Sequence, residues 1–305
     1  MLIRIYTIRF FNYPKISLYV MTLVVDGRKI ASKIKEKISL EVKNLVSKYG
    51  TTPTMGTIII GDNKESELYF KLREKASSEV GIKSEHYRFS GDVEEGEIIE
   101  VIEELNSSEE IHGIIIQQPI PEHISLRRLL LRLSPDKDVE GMTPRNLGKL
   151  MIGEEDIIPC TPLAVLRILE HVNVQLKGAN VAIVNHSPIV GKPLAILLLN
   201  RNATVSVCHV FTRNLKEHTR KADILITATG VPGLIGREYV KEESVVIDVG
   251  ISKTKKGICG DVAFDEVKEV VSIITPVPGG VGPVTIASAL ENLMKLYKRK
   301  VGEEK

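Results

Sequence analysis

Thr275-Pro276-Val277-Pro278-Gly279-Gly280-Val281-Gly282-Pro283-Val284-Thr285 follows an apolar run, residues 270–274, that reads as a strand. It precedes an amphipathic segment reaching Lys300. Two prolines fix the backbone, three glycines in the next four residues leave main-chain N–H groups bare, and Pro283 suits the first turn of a helix. A rigid glycine-lined loop between a strand and a helix N-terminus makes a floor for a flat, partly anionic ligand. An ordinary tight connection would explain a single glycine pair, but not this density of Pro and Gly. The loop is therefore expected to close a cleft whose walls come from the rest of the chain.

The 305 residues are enough for two domains with separate cores. The chain is 43% hydrophobic and 26% charged, as in an ordinary globular protein. A net charge of +2 gives no reason to expect nucleic acid or an acidic membrane as a partner. Cys160, Cys208 and Cys259 are far apart and odd in number, which disfavours a disulfide framework or a structural zinc site and fits the cytoplasm. No metal site is expected. Residues 1–20 mix Arg4, Arg9 and Lys15 with Ile, Tyr and Phe around Pro14, and no apolar run approaches a membrane span. They read as a non-native or disordered extension with translation starting at Met21; a hairpin or partner-binding arm is the competing view.

From Asp26-Gly27 a helical stripe carries Ile30, Ile34, Ile38, Val42 and Leu45. Strand patterns follow over residues 55–60 and 85–89, helical ones over 66–80 and 96–105, with Gly81 a helix C-terminal glycine. Gly113-Ile114-Ile115-Ile116-Gln117-Gln118-Pro119 is apolar on both faces until Gln117, as in a central parallel strand. After the charged loop Pro135-Asp136-Lys137-Asp138-Val139-Glu140-Gly141, a second alternating set begins at Ala179. The fold class is α/β, with two α/β domains, the second a doubly wound parallel sheet of the Rossmann type. Residues 22–141 form the first domain and 142–282 the second, with the helix over 283–300 returning to the first.

Asn185-His186-Ser187-Pro188-Ile189-Val190-Gly191 lies after the first strand of the second sheet, where a dinucleotide pyrophosphate meets a helix N-terminus. Only Gly191 remains of Gly-x-Gly-x-x-Gly, which is weak evidence alone. Thr229-Gly230 and Asp248-Val249-Gly250-Ile251 add small residues at the carboxyl edge of the sheet, where a nicotinamide would lie; ordinary βα turns are the competing reading. An NAD site usually ends its second strand with a carboxylate for the ribose. No Asp or Glu occurs between Glu170 and Glu217, and His186, His209 and Arg213 suit a phosphate better. NADP is favoured, with NAD left open.

Together, Val25-Asp26-Gly27, Ser66-Glu67-Leu68-Tyr69, Lys75-Ala76, Val80-Gly81, Gln117-Gln118-Pro119-Ile120-Pro121, the 135–141 loop, Pro159-Cys160-Thr161-Pro162 and the 275–285 run resemble the methylenetetrahydrofolate dehydrogenase/methenyltetrahydrofolate cyclohydrolase family. The resemblance spans about residues 22–297. It implies an interdomain cleft for a reduced folate, NADP, and cytosolic homodimers. By the same resemblance Tyr69 stacks on the folate. Gln117 hydrogen-bonds the catalytic side chain at position 73. Gln118, Glu140, Pro278, Gly279 and Gly282 meet the substrate. Asn185, His186, Ser187, Gly191, Thr229, Gly230, Ile251 and Thr285 meet the nucleotide.

Three departures stand out: Arg73 where the family has its catalytic lysine, Glu140 where it has an aspartate, and Asn185 where the dinucleotide loop opens with glycine. Hydride transfer needs two rings held face to face, with the cofactor doing the chemistry. Hydrolysis of the methenyl product needs water deprotonated as it attacks, which a lysine of lowered pKa can do and a guanidinium cannot. Lys71 and Lys75 point roughly 200–240° away from Tyr69 at about 100° per residue and do not substitute. Glu140 keeps its acceptor oxygens but shifts them by a methylene, which suits a modified pterin. The expectation is dehydrogenase activity with weakened cyclohydrolase. The alternatives are a non-catalytic pterin- or nucleotide-binding paralogue with a regulatory role, and a dehydrogenase of the shikimate or amino-acid type, which would not require the 275–285 run. His112, His123 and His171 read as surface or cap residues, and Cys160 as a packed thiol.

Overall fold

The structure, a computed structural model, describes residues 22–255 and 257–303, with the side chains of 64–66 excepted. The expectations for residues 1–20 and for Met21 lie outside the described residues. The first half runs β1 (Leu23–Val24), α1 (Gly27–Tyr49), β2 (Thr54–Ile60), α2 (Lys64–Val80), β3 (Lys83–Phe89), α3 (Glu95–Ser107), β4 (Gly113–Ile116), α4 (Leu126–Arg132) and α5 (Pro144–Met151). The second runs α6 (Cys160–His171), β5 (Asn180–Val184), α7 (Gly191–Leu199), β6 (Thr204–Cys208), α8 (Leu215–Thr219), β7 (Ile224–Thr227), β8 (Val245–Asp248), β9 (Ser252–Thr254), β10 (Gly257–Cys259), α9 (Phe264–Val267), β11 (Ile273–Ile274) and α10 (Val281–Lys300).

Two parallel sheets result. The smaller has the order β3-β2-β4 and the larger β1-β11-β8-β7-β5-β6, while β9 and β10 form an antiparallel hairpin. β2, β4, β7 and β8 are buried along their whole lengths, with Thr54, Thr57, Thr227 and Asp248 as the polar residues among them. Ile58, Ile114 and Ile116 pack one face of the small sheet against α3 and α4. Met55 and Ile115 pack the other against α1, α2 and Leu290, Leu293 and Tyr297 of α10. The large sheet has the same two-faced burial, with α6 and α7 on one side.

The first strand departs from the expected division at residue 141. β1 pairs with β11 in the large sheet, through Leu23 N–H to Ser272 O (2.8 Å) and Val25 N–H to Ile274 O (2.9 Å). Two residues cannot carry their own pairing preference, so the pairing follows where α1 is docked. α1 then passes along both cores, with Ile30 in the large-sheet core and Ile38, Val42 and Leu45 in the small-sheet core. The apolar run 270–274 supplies only two strand residues, because Val270 N–H is taken by Val267 O in a turn. His112 is a correction too. It is buried, its Nδ1 accepts from Thr54 N–H at 3.1 Å, and its ring packs edge-on to Tyr297. Burial, reinforced by Lys137 and Lys300, pushes this imidazole down to about 4.

The N-terminus of α1 sits on the proline-glycine loop. Asp26 caps it, its Oδ1 accepting from the N–H groups of Arg28 (3.0 Å) and Lys29 (3.3 Å). Gly27 N–H donates to Gly279 O at 2.9 Å, and a Cβ on Gly27 would lie 1.8 Å from Gly280 O. Gly→Ala in an open helix gains roughly 0.5–1 kcal/mol, so the sign of Gly27→Ala reports this contact. Gly27→Ala is expected to destabilise by on the order of 3 kcal/mol, the upper end of overpacking, and Asp26→Ala by about 1 kcal/mol. Denaturant midpoints of the two variants check the order.

Candidate active site

α2 places Tyr69 and Arg73 one turn apart on the face turned to the end of β4. The Arg73 guanidinium lies 5.9 Å from the Tyr69 ring centroid and is buried at 3% exposure. The small sheet's pairing extends one residue past β4, Gln117 N–H donating to Ile58 O at 2.8 Å. That contact aims the Gln117 side chain back at α2. Its Oε1 accepts from Arg73 Nη2 at 2.9 Å, and its Nε2 donates to Gln118 O at 2.8 Å. The amide is thereby oriented, and Arg73 is a donor rather than a base. Burial pulls the guanidinium below its usual range, opposed by Tyr69 and Glu140. Burial also pushes the Tyr69 phenol up.

Glu140 reaches the same cavity from the charged loop. Asp138, fully buried, holds the loop through its Oδ2, which accepts from Thr143 N–H (2.7 Å) and Asn146 Nδ2 (2.9 Å). Lys137 Nζ donates to the carbonyls of Leu105 and Ser108, and Asn292 Nδ2 to those of Val139 and Ile158. Glu140 is half-buried, and its carboxyl is pushed up to about 7 by burial, with Arg73 opposing and Asp138 adding. The cavity, about 320 Å³, is lined by Tyr69, Arg73, Gln117, Gln118, Glu140 and Thr285 among others. Tyr69 also lines an adjoining space of about 650 Å³ with Pro278, Gly279, Gly282 and Ile251. A Cβ on Gly282 would meet no protein atom, so that glycine leaves room in the groove. Cys160 opens α6 with its Sγ near Val139 O (3.4 Å), and burial pushes the thiol well up, as befits a packed group.

Two buried carboxylates unread in the sequence stitch the carboxyl edge of the large sheet. Asp248 accepts from the N–H groups of Gly250 (2.9 Å), Asp261 (3.1 Å) and Val262 (2.9 Å), and Asp261 from Thr227 Oγ1 (2.8 Å) and Thr229 N–H (2.5 Å). They set Thr229, Gly230 and Ile251 at the rim. Burial pushes Asp248 up to about 6 against the pull of those backbone donors. Asn292, between Leu290 and Leu293 in an apolar helical stripe, was the missed residue with a visible signal.

The dinucleotide turn differs from a bare amide cradle. Asn185 Oδ1 accepts from Ser187 N–H (2.8 Å) and Gly191 N–H (3.0 Å), while its Nδ2 donates to Ala228 O (2.6 Å). Ser187 Oγ accepts from Val190 N–H at 3.1 Å. The donors expected to face a pyrophosphate are thus satisfied within the protein. Gly191 is required for another reason: a Cβ there would lie 2.0 Å from Asn185 O. The surroundings of the turn still fit a phosphorylated dinucleotide. Residues 171–216 carry no carboxylate, the turn ends in a helix N-terminus, and His186 and His209 stand at the neighbouring strand ends.

Residues 25–140 match the family model for the tetrahydrofolate dehydrogenase/cyclohydrolase catalytic domain, and residues 159–301 match the model for that family's NAD(P)-binding domain. The bifunctional protein FolD of Aquifex aeolicus is 49% identical over 281 residues, covering 92% of this chain and 97% of its own length. The Methanosarcina barkeri protein of the same name is 47% identical over 271 residues, covering 89% and 94%. The crystal structure of Campylobacter jejuni FolD superposes with a TM-score of 0.89 at 42% identity, covering 91% of this chain and 99% of that one. The Trypanosoma brucei enzyme, solved with NADP and an inhibitor, gives 0.89 at 36% identity, covering 92% and 99%.

Asn185→Ala removes three hydrogen bonds at once. It is expected to destabilise the protein by about 1–3 kcal/mol and to speed hydrogen exchange at the Ser187 and Gly191 amides, read by exchange mass spectrometry. Unchanged exchange at both amides would contradict the side-chain-filled turn.

Proposed function

The chain belongs to the tetrahydrofolate dehydrogenase/cyclohydrolase family, and from that premise we propose that it oxidises 5,10-methylenetetrahydrofolate to the methenyl form with NADP, while Arg73 slows the hydrolytic step. The observation that carries this reading is a pair of adjoining cavities that share Tyr69, one lined by Arg73, Gln117, Glu140 and Thr285, the other by Pro278, Gly279 and Gly282 of the proline-glycine loop. Relatives named as bifunctional enzymes over nearly the whole chain favour turnover over a purely regulatory binding role.

Tyr69 covers the aromatic portion of the folate, and Glu140 with Gln118 accepts from or donates to the pterin edge. Pro278, Gly279 and Gly282 form the floor. Asn185, His186, Ser187, Gly191, Thr229, Gly230, Ile251 and Thr285 hold the nucleotide, which when bound supplies the hydride acceptor. The groove's task in oxidation is orientation and exclusion of water. Loss of hydride leaves a cationic methenyl carbon, and an ionised Glu140 offsets both that charge and the Arg73 guanidinium beside it. Hydrolysis asks for a proton acceptor, and Arg73, donating to Gln117 at 2.9 Å, offers none. We place the folate-binding domain at residues 22–141 with the helix over 283–300, apart from the first strand, and the nucleotide-binding domain at 142–282. All three cysteines are free, and among the described residues no helix is long and apolar enough to cross a membrane, which agrees with a cytoplasmic enzyme. β6 is an edge strand with Thr204, Ser206 and Val207 exposed, a surface suited to pairing with a second copy in a homodimer.

Incubation with methylenetetrahydrofolate and NADP is expected to yield reduced cofactor while methenyl absorbance accumulates. Arg73→Lys should raise methenyl hydrolysis by about 10²-fold or more, within the range of a positioned base. Wild-type hydrolysis as fast as that of the variant would sink the assignment. Glu140 supplies a pH test. Because burial raises its carboxyl to about 7, the ionised acceptor is lost as pH falls through 7. The KM for the folate should therefore rise about tenfold from pH 8 to pH 6, and Glu140→Gln should flatten that profile.

A further inference from the structure

Asp248 and Asp261 interlock two turns at the carboxyl edge of the large sheet. Asp248 ends β8, and its Oδ1 accepts from Gly250 N–H (2.9 Å) in its own turn and from Asp261 N–H (3.1 Å) in the other. Its Oδ2 accepts from Val262 N–H at 2.9 Å. The contact is returned: a Cβ on Gly250 would lie 2.0 Å from Asp261 Oδ1, and a Cβ on Gly260 would lie 2.0 Å from Asp248 Oδ2. Neither glycine has a positive φ, so both are needed for the close approach rather than for the bend.

Two arms leave this interlock. One reaches the rim where a nicotinamide would lie: Asp261 Oδ2 accepts from Thr227 Oγ1 (2.8 Å) and Thr229 N–H (2.5 Å), and Ser252 Oγ donates to Gly230 O at 2.9 Å. The other reaches the proline-glycine loop, where Asp248 N–H donates to Thr275 Oγ1 at 2.8 Å and Val277 packs within 2.7 Å of where a Gly260 Cβ would be. Both carboxyl groups are inaccessible, at 3% and 0% exposure, and they repel each other. Burying two such groups is costly, so a turn that needed only tying would do better with amides. Asp248 spreads three N–H donors over two oxygens, which asparagine cannot match because one of its two terminal atoms is itself a donor. Asp261 differs: both its donors share Oδ2, and Oδ1 has no hydrogen-bond partner among the described residues.

We propose that Asp248 and Asp261 are positioning residues for hydride transfer. The interlock holds the nicotinamide rim and the proline-glycine loop at a fixed separation, so that the methylene carbon lying on one meets the acceptor ring lying on the other. This rests on the dehydrogenase reading and goes beyond it by assigning residues that act through the backbone they hold. Misplacement of the reacting atoms by about 1 Å can cost roughly 10²-fold in rate. Binding tolerates the same error better, because each ligand keeps its own wall.

Asp248→Asn sets a donor against a donor whichever way its amide turns. With methylenetetrahydrofolate and NADP, kcat of this variant should fall by about 10–10²-fold, and the isotope effect from a dideuterated methylene carbon should rise. The calorimetric Kd for NADP should change far less than kcat. In the ligand-free chain, hydrogen exchange should quicken at the Gly250, Asp261 and Val262 amides. Asp261→Ala should behave alike, and Asp261→Asn, which keeps an acceptor for Thr227 and Thr229, should restore most of the loss. If Asp248→Asn does not fold, the two Asp261 variants carry the same readout. Lower melting temperatures with an unchanged isotope effect would overturn the positioning role in favour of a purely structural one, as would failure of both Asp248→Asn and Asp261→Ala to fold. A wild-type chain that yields no reduced cofactor would overturn the dehydrogenase reading and this proposal with it.

Discussion

The backbone contact between Gly27 and the proline-glycine loop is the constraint on which the molecule depends. Gly27 N–H donates to Gly279 O, and no side chain fits between Gly27 and Gly280. The contact docks the start of α1 against the loop that leads into α10, and these two helices cross from one sheet to the other. Ile30 and Val284 belong to the large-sheet core, while Leu45 and Leu290 belong to the small-sheet core. α1 and α10 each contribute to both cores, and Tyr69 is shared by the two adjoining cavities.

The charged side chains that line the smaller cavity are Arg73 and Glu140, of opposite sign. Arg73 is buried against Gln117 and Tyr69, and Glu140 comes in from the opposite wall on a loop clamped by Asp138, Lys137 and Asn292. A buried cation beside an acceptor amide, with a carboxyl raised toward neutrality in the same cavity, leaves no ready base at position 73. The same amide contact in a lysine enzyme would leave a group able to lose its proton. One side-chain exchange thus changes the chemistry available while leaving the wall intact.

The nucleotide side follows a parallel logic. A glycine-opened turn exposes its amides to phosphate, whereas here the Asn185 and Ser187 side chains fill that role and tie the turn to β7 through Ala228. The turn becomes rigid from within.

β1, α4, the β9–β10 hairpin and α9 were not legible in the amino-acid sequence, while the α/β fold class and the longer strands and helices were. These are local properties: runs such as Gly113-Ile114-Ile115-Ile116 bury both faces of a strand wherever it is placed, and the stripe from Ile30 to Leu45 makes a helix with one apolar side. The departures at Arg73, Glu140 and Asn185 were legible for the same reason, since each sits inside a recognisable run. What those residues touch depends on contacts distant in the chain. Arg73 and Gln117 are 44 positions apart, the first strand joins the far sheet, His112 is interior, and Asp261 braces Thr229 from across a loop. Such pairings depend on how separate elements dock, and a two-residue strand or a lone buried carboxylate carries too little periodicity to announce its partner.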